Sequence, residues 1–181
     1  LNTPVNYGGL ELKNRVIFAP TTLGLPQEEQ LERLRAIARG GCAMIIVGDV
    51  PVGKHGFGPS LYSKKGFAWY TRLTSAIHQE GCLVCAQLHQ SDSNVKAMLK
   101  YVPGVLTKRI SMQELRPLLN QEVGPYITRM PAQKAAAIAE SFGEAAVLAQ
   151  KAGFDMVQVH GDRMCGSFSS AVYNFRTDCY G

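Results

Sequence analysis

Residues 154–181, FDMVQVHGDRMCGSFSSAVYNFRTDCYG, decide how this chain is read. The apolar run Met156, Val157 and Val159 predicts a buried β-strand, and His160-Gly161 ends it. A polar residue followed by glycine at a strand's carboxyl end is where α/β enzymes place chemistry. Beyond it, Arg163, Cys165, Asn174, Arg176, Asp178 and Tyr180 are polar or reactive and follow no helix or strand period. They are more numerous than a purely structural loop requires.

Working outward, an Ala-rich helix is predicted over residues 131–152, with Ile138, Phe142, Ala145 and Ala149 on one face and Gly153 ending it. Residues 91–131 show no sustained period and read as an irregular excursion. Residues 83–88 predict a third strand closing with Gln87, His89 and Gln90. Before it come a helix over 67–79 and a Gly-rich loop at 53–59. The uniformly apolar run at 43–47 predicts a strand capped by Gly48-Asp49 and buried on both faces. A further helix is expected over 26–39, with Pro at its start, Glu28 and Glu29 in its first turn and Gly40-Gly41 at its end. Residues 15–20 read as a short strand ended by Pro, and Gly8-Gly9 as the turn of a hairpin spanning 5–12. Strand and helix therefore alternate, which implies a parallel sheet, either a (β/α)8 barrel or a doubly wound sheet. No G-x-G-x-x-G follows the first strand, which counts against a dinucleotide-binding doubly wound fold.

The positions His160, Gly161, Phe168, Ser170, Asn174, Arg176, Thr177, Asp178, Tyr180 and Gly181 spell HG…F-x-S-x-x-x-N-x-R-T-D-x-Y-G. This resembles the fourth-strand signature of the Old Yellow Enzyme family, the NADH:flavin oxidoreductases. LKNRVIFAP at 12–20 resembles that family's first strand, and YTRLTSAIHQEG at 70–81 resembles the family again. The resemblance implies an α/β fold, the amino-terminal half of an FMN-binding (β/α)8 TIM barrel. Residues 1–181 would form about four βα units, with a basic insertion at about 91–131. A complete barrel has eight strands in roughly 250 residues, so the remainder is expected beyond Gly181. The resembled family holds the FMN phosphate with strands seven and eight.

The same resemblance assigns roles residue by residue. Pro20, Thr21 and Thr22 match the first-strand end that touches the flavin ring, although Thr21 and Thr22 equally suit a turn cap. Gly48 and Asp49 match the second-strand end, where backbone N–H groups approach the ring. Gln87 matches a glutamine on the pyrimidine side. His160 stands at the flavin and anchors the substrate. After His-Gly, the family's Ala, Asn or His, Gly and Tyr are replaced by Asp162, Arg163, Met164 and Cys165. Arg163 donates hydrogen bonds to a carbonyl or carboxylate. Cys165 occupies the place of the proton-donating tyrosine, its pKa expected to be lowered by the adjacent arginine. Gln90-Ser91-Asp92-Ser93 replaces a His-Ala-Gly-Arg, and Asp49 places negative charge near a reduced flavin. The implied cofactors are FMN and NAD(P)H, and the implied reaction is hydride transfer to an activated alkene. The rival expectation is a non-catalytic barrel acting as a scaffold or ligand-binding module. A flavin-free, acid-binding barrel using Arg163 and the basic insertion ranks third.

The composition fits a globular protein: 46% hydrophobic and 18% charged residues in 181. No apolar run is long enough to span a bilayer and no signal-peptide pattern opens the chain, so a cytoplasmic location is expected. Five cysteines lack a framework spacing and read as reduced thiols. Cys82-x-x-Cys85 places its side chains on opposite faces of a strand, which favours core packing over a metal site. His55 and His78 read as surface residues. The net charge is +5, and residues 91–134 hold seven Lys or Arg against three Asp or Glu. That excess suits a rim for an anionic ligand or a solvated insertion. Neither nucleic acid nor membrane is indicated. A small-molecule substrate is expected, with homo-oligomerisation left open.

Overall fold

A computed structural model describes residues 1–21, 23–54 and 58–181. Its elements run β1 (Val5–Tyr7), β2 (Leu10–Leu12), β3 (Ile17–Thr21), α1 (Gln27–Arg39), β4 (Met44–Pro51), α2 (Lys64–His78), β5 (Leu83–His89), α3 (Val95–Leu106), α4 (Met112–Gln121), α5 (Val123–Thr128), α6 (Ala132–Lys151), β6 (Met156–Val159) and α7 (Arg163–Ser169). The chain divides into two compact units: residues 1–89 with 140–159, and residues 90–139 with 160–181.

In the first unit β3, β4, β5 and β6 form one sheet in sequence order, every pair parallel. The central strands are buried on both sides, as their uninterrupted apolar sequences require, while β3 and β6 are half exposed at the edges. One face carries Ile45, Val47, Val84, Ala86 and Leu88 against Leu31, Leu34 and Ala38 of α1, Leu73 and Ile77 of α2, and Ala145 and Ala149 of α6. The other face carries Met44 and Cys85, closed by Leu12 of the β1–β2 hairpin. Gly8 and Gly9 turn that hairpin at φ of 57° and 90°, the left-handed pair its tight turn requires. α2 starts at Ser63, whose hydroxyl accepts from the Gly66 N–H at 3.0 Å. Cys82 and Cys85 do lie on opposite faces, in separate clusters. Burial raises Cys82 to about 12, helped by Cys42 at 3.6 Å, and raises Cys85 to about 11. Both remain thiols.

β4 does not end at Gly48-Asp49. It continues to Pro51 through a register shift between Val47 and Val50, with Asp49 at φ 55°. Paired runs on either side carry the strand across this bulge, which glycine and a short polar side chain accommodate.

The second unit departs furthest from expectation. The stretch expected to be irregular holds three helices, α3, α4 and α5. Pro103, Gly104 and Pro117 inside them hid the period, because such residues ordinarily end helices. Local caps hold α3 and α4. The Asn94 side chain accepts from Ala97 N–H, and Ser111 and Glu114 form a reciprocal capping box. A further helix, α7, occupies part of the tail that showed no period.

Candidate active site

Within the first unit the predicted residues gather at the carboxyl ends of β3, β4 and β5. Thr21 pairs in register with Val47. A Cβ on Gly48 would lie 3.3 Å from the Thr21 nitrogen and 3.5 Å from Pro20 Cβ, so a larger residue would press the two strand ends apart by a few tenths of an ångström. Gln87 is 8% exposed, and its Nε2 donates to Gln158 Oε1 on β6 at 2.8 Å. Sequence reasoning missed Gln158. The lone polar residue in MVQV, at the register partner of Gln87, was its signal. Thr22 and His55 lie outside the described residues. His78 is exposed as expected and pairs with Asp155 at 2.8 Å.

Asp49 adds its charge to the effect of burial on Tyr70, whose phenol is held well above its ordinary range, burial being the larger cause. Asp49 and Arg163 are two of the three described non-glycine residues at positive φ, with Lys108. Left-handed backbone in ordinary residues concentrates at functional sites, which sets these two candidates apart from their neighbours.

Within the second unit, His160 Nδ1 accepts from the Asp162 N–H at 3.3 Å. A neutral His160 therefore carries its proton on Nε2. Arg163 opens α7 at φ 59° and is exposed. Cys165 follows one half-turn on, half-buried. Its pKa is raised by burial, not lowered by the neighbouring arginine. Desolvation disfavours the thiolate, and Arg163 points no compensating interaction at it.

The tail's other polar residues belong to structure, contrary to the expectation that they were too many for it. Arg176, 4% exposed, forms a two-pronged pair with Asp178 and donates through Nη1 to the carbonyls of Ile127, at 2.9 Å, and Met130. Its guanidinium stacks near Phe168 and Tyr180. Asn174 Nδ2 donates to the carbonyls of Phe168 and Tyr180 at 2.7 and 2.6 Å. The signature that made the tail recognisable is a clamp on the backbone. Asp92, read in the sequence only as part of the replaced segment at 90–93, is 7% exposed and accepts from Ser167 Oγ at 2.7 Å. Among the described residues, no group of three or more His, Cys, Asp or Glu suits a metal ion, and no helix is long and apolar enough to cross a membrane.

The donor set at the strand ends suits a neutral, polar aromatic ring. Gln87 Nε2 and Gln158 Oε1 bond each other, which leaves Gln87 Oε1 and Gln158 Nε2 as the acceptor and donor of one polar edge, and Gly48 removes bulk at the neighbouring bulge. FMN fits these residues.

Residues 1–181 match the model of the NADH:flavin oxidoreductase / NADH oxidase family. Over its whole length the chain is 61% identical to a protein named bilirubin reductase from Clostridium symbiosum, of which it covers 49%. A bilirubin reductase from Mediterraneibacter gnavus is 31% identical, with 98% of this chain and 28% of that protein covered. Among solved structures, an Old Yellow Enzyme from Pichia sp. superposes with a TM-score of 0.75 at 24% identity, covering all of this chain and 51% of the other. Morphinone reductase in complex with tetrahydroNAD gives 0.69 at 20% identity, again over all of this chain and 55% of the other. The chain thus spans about half or less of the length of these relatives. Its fold is that of the amino-terminal half of an α/β barrel, four parallel strands with their helices. FMN and a nicotinamide nucleotide are the cofactors of such oxidoreductases. The chain belongs to the NADH:flavin oxidoreductase / NADH oxidase family.

Proposed function

We propose that this chain supplies half of the barrel of a flavin-dependent, NAD(P)H-linked reductase whose acceptor is a linear tetrapyrrole of the bilirubin type. The observation that carries this reading is 61% identity, along the entire chain, to a bilirubin reductase. Such an acceptor contains C=C bonds conjugated to lactam and pyrrole rings, within the class of activated alkenes that the sequence led us to expect.

FMN, when bound, supplies hydride transfer from the nicotinamide to the acceptor. Gln87 and Gln158 would hold the polar edge of its ring, with the backbone of Pro20, Thr21, Gly48 and Asp49 beside it. Thr22 completes this set in the sequence reading. His160 would anchor the acceptor, and Arg163 offers a permanent cation to its carbonyl or carboxylate groups. Cys165 would deliver the proton. Because burial raises its pKa, the thiol stays protonated at neutral pH, the state a proton donor needs. Its thiolate is then reprotonated from solvent, so hydride and proton together saturate one C=C bond.

The full-length gene product tests this reading. Anaerobic NADH oxidation should run in proportion to loss of bilirubin absorbance. Cys165→Ala should slow that turnover about a hundredfold while NADH still bleaches the flavin. Bleaching with no loss of bilirubin would reject the acceptor. A protein that never carries flavin would favour the scaffold alternative.

A further inference from the structure

A cavity of about 480 Å³ lies wholly within the second unit, lined in part by Asp92, Arg116, Asn120, Glu122, Arg163 and Tyr173. That size suits a drug-sized organic molecule. Five charged side chains line it, Asp92, Arg116, Glu122, Asp162 and Arg163. Glu122 is already answered: it accepts from Lys100 at 3.0 Å and from Tyr101, and Lys100 first of all holds its carboxyl below the usual range. Asp162 is a further carboxylate on the lining. Arg116, on the exposed side of α4, has no ion pair or hydrogen bond among the described residues. Asp92 is over nine-tenths buried. Its Oδ2 accepts from Ser167 Oγ at 2.7 Å, which leaves Oδ1 as its further acceptor. A carboxylate oxygen on a cavity wall can accept from a ligand N–H.

We propose that this cavity binds the acceptor, Arg116 taking a carboxylate of the ligand and Asp92 accepting from its ring N–H groups. The two requirements together, acid side arms and heterocyclic N–H donors on one molecule, are the chemistry of a linear tetrapyrrole with propionate arms. In this the inference rests on the reading of the acceptor given above. Arg116 is then a specificity-determining residue contributed by the insertion. It explains part of that segment's basic excess as recognition and not as solvated surface.

The experiment compares bilirubin with its dimethyl ester in the full-length gene product. Wild type should show a KM at least about tenfold higher for the diester, the scale of losing one charge-assisted contact. Arg116→Gln should raise KM for the diacid by a similar factor, more than it lowers kcat, and so close the gap. Arg116→Lys should restore part of it, and Asp92→Asn should weaken both substrates. Because Arg116 is exposed, its variants are expected to fold. Equal discrimination by wild type and Arg116→Gln would overturn the proposal while leaving the reductase reading intact. If wild type reduces no bilirubin, the reductase reading fails separately, and an absorbance titration with bilirubin decides the cavity. Saturable binding weakened by Arg116→Gln supports it. Binding that is absent, or indifferent to both variants, overturns it.

Discussion

The two units of this chain are held together by different physics. The parallel sheet and its helices are a hydrophobic core in which Ile45, Val84, Leu73 and Ile77 are wholly buried. The insertion and tail form a smaller cluster around Ile127 and Met164, and depend on side chains that tie down backbone carbonyls. Burial is non-directional and spreads over many residues. A clamp such as Arg176 is directional and concentrates in one. Losing a core side chain should weaken the first unit as a whole, whereas losing one clamp should undo the second unit locally.

The largest effect expected is in the core. Leu73→Ala removes a fully buried side chain and should cost the first unit about 3 kcal/mol, read from urea unfolding. A loss below about 1 kcal/mol would mean that the sheet is not packed as described. Arg176→Ala comes next. Amides of α5 and residues 163–180 should lose hydrogen-exchange protection while those of β4 and β5 keep theirs. Uniform loss across both units would break the distinction. Ser111→Ala opens the capping box of α4 and should cost that helix about 1 kcal/mol, seen as faster exchange over Met112–Gln121 only.

Acid should act on the clamp in a calculable direction. Its hydrogen bonds to Arg176 hold the Asp178 carboxyl below the usual range. A depressed folded pKa contributes stability in full above the unfolded value of about 3.9, and that contribution disappears as pH falls through the folded value. Protection of the tail should therefore fall below about pH 4, and Asp178→Asn should remove that pH step. The smallest effect is one of rate. Exposed Cys179 should react first with a thiol reagent and half-buried Cys165 more slowly, speeding up as pH rises. Cys42, Cys82 and Cys85 should react only on unfolding.

The same contrast explains what was legible in the sequence. Strands and helices whose apolar faces make the core announced themselves through periodicity, and β5, α1 and α6 fell close to where the pattern put them. The insertion helices did not. Pro103, Gly104 and Pro117 broke the pattern, although the Ser111-x-x-Glu114 cap was there to be read. Asn174, Arg176 and Asp178 were read as a reactive surplus because a sequence does not show which carbonyls a polar side chain will meet. Gln158 and the role of Asp92 escaped for a related reason. Each gained its meaning from a partner, Gln87 or Ser167, more than seventy positions away.

The most direct test of the account is the visible spectrum of the purified full-length gene product, before and after anaerobic NADH, for wild type and Gln87→Ala. Wild type should show a flavin spectrum that NADH bleaches, and Gln87→Ala should bind flavin more weakly with its bands displaced. A wild-type protein with no flavin after reconstitution with FMN would contradict the account. So would a Gln87→Ala spectrum and affinity identical to wild type, which would leave the glutamine pair as packing.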